Sequence, residues 1–149
     1  MLKMLIMGPA GAGKGTMSEL ICENFAVQHI STGDMFREEI KHNTELGQAA
    51  SSYIAAGKLV PDEVTIAMVK NRLTRDDCAS GYLLDGFPRS LPQTLAIEDL
   101  GINAVINLTV SDEALVERIV NRRLCRGCGK IYNITSQPSK LEGICDEFG

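Results

Sequence analysis

Apolar residues fall along this chain in short runs cut by glycine, proline and polar turns, and the period inside each run predicts its element. Leu2–Met7 is almost continuously apolar and stops at Gly8-Pro9, the pattern of a buried strand feeding a loop. Thr16–Phe25 then carries Leu20, Ile21 and Phe25 at helical spacing. A second strand is expected near Val27–Ile30. It leads into a mostly helical stretch from about Gly33 to Arg75, punctuated at Gly57 and at Pro61, where Pro61-Asp62 reads as a helix start. Tyr82-Leu83-Leu84, bracketed by Gly81 and Asp85, is a third buried strand. After a proline-containing helix around Leu91–Leu100 comes Ala104–Val110, rich in β-branched residues. Ser111 then stands as the N-cap of a helix running to Arg123.

Short apolar strands alternating with helices predict an α/β fold: a parallel sheet flanked by helices, with ligands at the carboxyl ends of the strands. From Leu124 the pattern lapses, and glycines, a proline and three cysteines within the last residues predict a small loop-rich module.

Composition narrows the function. The chain has 149 residues, 44% of them hydrophobic, which suits a globular domain with a sizeable core. A formal net charge of −4 with no block of five like charges argues against a nucleic-acid polymer as partner. The apolar opening Met4–Met7 is far too short for a membrane span or a signal-peptide core, so the expected location is the cytoplasm. Five cysteines, two of them in Cys125-Arg126-Gly127-Cys128, fit a metal or redox role better than a disulfide framework. Cys22 and Cys78 lie among apolar residues and are expected in the core.

The strongest chemical signal is Gly8-Pro9-Ala10-Gly11-Ala12-Gly13-Lys14-Gly15-Thr16, between a strand and a helix. Glycines let the backbone wrap with its N–H groups toward phosphate oxygens, the helix start adds positive potential, and Lys14 brings a full charge near the β- and γ-phosphates. Gly15 stands between the lysine and the hydroxyl residue, a departure from the general phosphate-loop pattern. The second signal is Leu83-Leu84-Asp85-Gly86-Phe87-Pro88-Arg89. An aspartate ending a buried strand beside a phosphate loop is placed to hold Mg²⁺ through water, and Arg89 can fork onto phosphate oxygens. Arg118 and Arg122, four apart on the expected helix, would share a face; without other information they read as a solvated stripe.

These motifs, with Ser31-Thr32-Gly33-Asp34-Met35-Phe36-Arg37 between them and Gln93 after them, resemble adenylate kinase in order and spacing along essentially the whole chain. The resemblance implies the P-loop nucleoside monophosphate kinase fold with strand order 2-3-1-4. It implies a core over 1–121 carrying a helical AMP-binding insertion at 31–60, and an incomplete, cysteine-containing lid over 122–149. It implies reversible, Mg²⁺-dependent phosphoryl transfer from ATP to AMP giving two ADP, by a monomer. Gly11, Ala12, Gly13, Lys14, Gly15, Thr16, Arg122, Ile131 and Tyr132 would hold ATP. Thr32, Arg37, the backbone of Lys58, Leu59 and Val60, the turn Gly86, Phe87, Pro88 and Arg89, and Gln93 would hold AMP. Lys14, Arg89, Arg118 and Arg122 would act on the transferring phosphates. The AMP oxygen that attacks is already anionic, so such a reaction rests on positioning and charge compensation and needs no general base.

Cys125-x₂-Cys128-x₁₆-Cys145 has the layout of a small zinc site. In long-lid members of the resembled family a cysteine or aspartate follows the third cysteine after two residues; here that residue is Phe148, which leaves a closed structural Zn²⁺ site in doubt. The resemblance also implies that the second half of the lid and a final helix and strand are missing, so the chain reads as C-terminally truncated, with little or no turnover expected of it. Two other readings stay open on sequence: a kinase for UMP or CMP, and a nucleotide-binding fragment without turnover.

Overall fold

The computed structural model describes all 149 residues. They divide into a larger unit, Met1–Gly8 with Gly13–Leu108, and a smaller one, Pro9–Ala12 with Thr109–Gly149.

The larger unit is built on a four-stranded parallel sheet of β1 (Leu2–Met7), β2 (Gln28–Ser31), β3 (Gly81–Asp85) and β4 (Ala104–Asn107), in the order β2-β3-β1-β4. This is the predicted order. Its core follows from strand alternation. Leu5, Ile30, Tyr82 and Leu84 pack on one face with Val69 of α4 (Asp62–Leu73), Cys78, Phe87 and Ile97, while Met4, Ile6 and Leu83 pack on the other with Ile21 of α1 (Lys14–Phe25) and Val27. All five residues of β3 are buried, as a central parallel strand covered on both faces requires. Gly81 opens β3 at φ 136°, and a Cβ there would lie 2.4 Å from the Leu2 carbonyl oxygen, so no larger residue fits this approach of backbones.

The insertion consists of α2 (Thr32–Lys41) and α3 (Glu45–Ala55), with a small core of Phe36, Ala50 and Val60. Ser31 and Thr44 cap the two helices, each accepting an N–H from the third residue on. Gly47 is held so close to α2 that a Cβ would sit 2.1 Å from the Glu39 carbonyl oxygen.

The smaller unit contains α6 (Asp112–Val120) and the antiparallel pair β5 (Arg122–Leu124) with β6 (Ile131–Asn133). No helix of the structure is long and apolar enough to cross a membrane.

Three expected boundaries shift. The helix expected over Leu91–Leu100 is α5 (Leu91–Leu95) followed by a 3₁₀ turn at Glu98–Leu100, closed by Gly101 at φ 66°. The strand expected over Ala104–Val110 stops at Asn107, where its parallel partner β1 also ends at Met7. Ser111 does cap α6, accepting the Ala114 N–H, but the helix ends at Val120 and not at Arg123. Asn121 gives its carbonyl to the Ile134 N–H, and pairing with β6 pulls the next three residues into a strand. Arg122 therefore shares no helical face with Arg118.

Candidate active site

The glycine loop runs as the pattern requires, from β1 to α1. Gly8, Gly11 and Gly13 all have positive φ, and Gly13, at φ 93°, stands where a side-chain cap would otherwise sit. The first turn of α1 thus opens toward the loop with outward-facing N–H groups and no competing side chain, an anion-binding arrangement. Lys14 Nζ donates to the Gly8 carbonyl at 2.9 Å, which folds its charge back over the loop. Within the smaller unit, Arg118 Nη1 reaches the carbonyl oxygens of Gly11 at 3.4 Å and Ala12 at 3.3 Å.

At the carboxyl end of β3, Asp85 is buried, and His29 Nε2 of β2 lies 3.3 Å from its Oδ2. No motif marked His29. Beyond Asp85 the chain turns through Gly86 at φ 77°, where a side chain would strain the backbone and its Cβ would crowd Arg89 Nη2 at 2.8 Å and Thr32 Oγ1 at 3.0 Å. The Gly86 carbonyl accepts from Thr32 Oγ1 at 3.0 Å and from Arg89 Nε at 2.6 Å. Thr32 at the start of α2 and the turn Gly86–Arg89 are thereby drawn together, and Gln93 joins the turn through the Arg89 N–H.

Arg37 pairs with Asp34 on the exposed side of α2. Burial pushes the Asp34 carboxyl up, but the hydrogen bond and charge of Arg37, with the Ser31 hydroxyl, outweigh it and hold the group below the usual aspartate range. Lys58 and Leu59 are exposed after Gly57, while the Val60 side chain is buried in the insertion core. Gln93 is buried, only 4% exposed, with both ends of its amide engaged: Oε1 accepts the Arg89 N–H at 2.7 Å and Nε2 donates to Asp62 Oδ1 at 2.7 Å. Sequence reading missed Asp62; its place at a helix start offered a capping role as a sufficient explanation.

In the smaller unit the sulfurs of Cys125, Cys128 and Cys145 lie within 4.8 Å of one another, those of Cys128 and Cys145 at 3.5 Å. The Tyr132 hydroxyl lies 3.3 Å from Cys145 Sγ and accepts the Asp146 N–H. That hydroxyl first, then the backbone N–H groups of Glu147 and Phe148, bring the Cys145 thiol down to about 6. Three soft donors at this spacing fit a thiophilic cation such as zinc. Phe148 offers no fourth donor; its ring lies on the knuckle, where a Cβ at Gly127 would come within 2.4 Å of it. Ile131 is exposed, whereas the Tyr132 ring turns into this cluster. Arg122 is exposed on β5, and Arg123 folds back on the carbonyls of Val120 and Arg122. Cys78 is buried as expected, but Cys22 is only half-buried on α1.

The adenylate kinase family model matches residues 6–147. The chain belongs to that family. It is 51% identical over 154 aligned positions to an adenylate kinase of Carboxydothermus hydrogenoformans, the match covering 99% of this chain and 72% of the relative. Adenylate kinases of Staphylococcus aureus and Finegoldia magna are 49% and 47% identical, covering 99% and 97% of this chain and 72% and 70% of theirs.

Proposed function

We propose that this chain transfers a phosphoryl group reversibly from Mg²⁺-bound ATP to AMP, giving two ADP. The observation that carries the reading is the convergence, at the carboxyl ends of parallel strands, of Lys14 after β1, Thr32 after β2, and Asp85 with Gly86–Arg89 at and after β3.

Gly11–Thr16 take the ATP phosphates on backbone N–H groups, and Arg122, Ile131 and Tyr132 add ATP contacts. Thr32, Arg37, the backbone at Lys58–Val60, the Gly86–Arg89 turn and Gln93 hold AMP. Lys14 and Arg89, with Arg118 and Arg122, offset the charge of the phosphates in transfer. Asp85 would hold Mg²⁺ through water, and the ion, when bound, supplies positive charge to the phosphate oxygens. Arg37 must exchange its Asp34 partner for the AMP phosphate, so AMP binding reorders this face of α2. The nucleotide-binding core spans 1–121 with its AMP-binding insertion at 31–60, and 122–149 forms the lid. Cys125, Cys128 and Cys145 give at most a labile zinc site. A monomer in the cytoplasm completes the reading.

A coupled assay for ADP with AMP present and absent tests it. Any ADP formed is expected to require AMP; nucleotide hydrolysis that AMP does not affect would overturn the proposal.

A further inference from the structure

Asp62, the first residue of α4, joins two elements 31 residues apart in sequence: its Oδ1 accepts from Gln93 Nε2 at 2.7 Å and its Oδ2 from Ser90 Oγ at 2.8 Å. At the other end of the same amide, Gln93 Oε1 accepts the Arg89 backbone N–H at 2.7 Å. A backbone N–H only donates and a carboxylate only accepts. Turning the amide over would therefore set donor against donor at Arg89 and acceptor against acceptor at Asp62, in a side chain only 4% exposed. One orientation of the amide satisfies both neighbours, and in it Oε1 keeps one lone pair and Nε2 keeps one N–H.

That remaining pair has a definite polarity toward a base. A 6-aminopurine presents a donor at its 6-position beside an accepting ring nitrogen on its pairing edge. A 6-oxopurine presents an acceptor beside a donating N–H, the inverse pattern. An unrestrained glutamine matches either by rotating its amide, whereas one fixed at both ends matches only the first.

We propose that Asp62 is a specificity-determining positioning residue, which locks the Gln93 amide in the orientation that accepts 6-amino and rejects 6-oxopurine monophosphates. This rests on the reading that Gln93 faces the base of the acceptor nucleotide. It assigns selectivity to a pair, Asp62 with Gln93, in which Asp62 touches no substrate.

The test is the ratio of dissociation constants for IMP and AMP, measured by calorimetry on the full chain. IMP replaces the 6-amino group by an oxo group and adds nothing else to the base edge except the N–H that goes with it. Asp62→Asn keeps the shape but offers a donor to a turned amide, leaving the Arg89 N–H alone to oppose turning, and is expected to lower the IMP-to-AMP ratio severalfold. Gln93→Ala should lower it too. Ser90→Ala loosens the same joint by removing one bond to Asp62 and the cap on the Gln93 backbone N–H, leaves both partners of the Gln93 side-chain amide in place, and should lower melting temperature while keeping the ratio. If Gln93→Ala lowers the ratio and Asp62→Asn does not, the lock is wrong while Gln93 keeps its place at the base. If Gln93→Ala leaves the ratio unchanged, the underlying reading fails and the lock with it. A Ser90→Ala ratio as low as that of Asp62→Asn would reduce the effect to general loosening and overturn the proposal.

Discussion

The sheet-bearing unit and the cysteine-bearing unit are held together by different forces. In the first, strand residues such as Ile6, Leu83 and Leu84 are almost wholly withdrawn from water and pack in two layers against helices. In the second, Ala12 and Tyr132 are the only buried residues, while Leu124, Leu141 and Phe148 are each more than 60% exposed. A segment with so little apolar burial relies on short strand pairing and on turns such as the one Asn133 closes with Thr135 and Ser136, arranged around the free thiols of Cys125, Cys128 and Cys145. The difference teaches where each kind of substitution should register.

The largest effect expected is on chemistry in the larger unit. Lys14→Ala should lower turnover on the order of 10³-fold, since it removes a full charge from the transferring phosphates, and should change AMP affinity far less. Equal losses in AMP affinity and turnover would place Lys14 elsewhere. Next comes the core: Leu84→Ala, at a fully buried position, should cost about 2–5 kcal/mol of unfolding free energy, whereas Leu141→Ala, 64% exposed, should stay within about 0.5 kcal/mol. Similar costs at the two sites in denaturant titrations would erase the contrast between the units.

The cysteine-bearing unit should answer to metal. Phe148→Cys supplies the missing fourth donor and should raise zinc affinity on the order of 100-fold, with protection of this segment from proteolysis rising in step. A parent chain that already retains one zinc through prolonged chelation would show that another group completes the site.

The smallest effect concerns Asp34. Its carboxyl is held below the unfolded value, so its contribution is present in full above the usual aspartate range and is lost as pH falls through the lower folded value. Asp34→Asn should therefore remove a slight stability advantage near neutral pH and leave strongly acidic solutions unaffected. The pair is exposed, so the difference should be about 0.5 kcal/mol or less and should shrink with salt. A gap that persists in high salt would mean the pair is better shielded than its exposure implies.

Much of this architecture could be read from residue order, because the features that decide it are local. The glycine loop lies between an apolar run and a helical one, and Asp85-Gly86 ends a strand whose neighbours are all apolar. The strand alternation that sorts Met4 and Ile6 from Leu5 is likewise a local pattern. The errors arose where a distant partner decided the outcome. Arg122 looked helical until pairing with Asn133 took it into a strand. The hold on the Gln93 amide could not be read because its partner Asp62 lies far away in sequence, in another helix. His29 carried no motif because only the lateral pairing of β2 with β3 brings it to Asp85. The contact of the Phe148 ring with Gly127 was equally out of reach, since the chain folds back to make it.

The close approach at Gly47 has a mechanical consequence. With the start of α3 resting on the Glu39 carbonyl, and Thr44 Oγ1 bonded to the carbonyl and carboxylate of the same Glu39, the hairpin of α2 and α3 has almost no room to flex at its bend. Arg37 rides on one arm of this hairpin and the Lys58–Val60 backbone follows the end of the other. Val60 packs with Phe36 and Ala50, so the end of the second arm is tied back to the first and the insertion is held as one stiff piece.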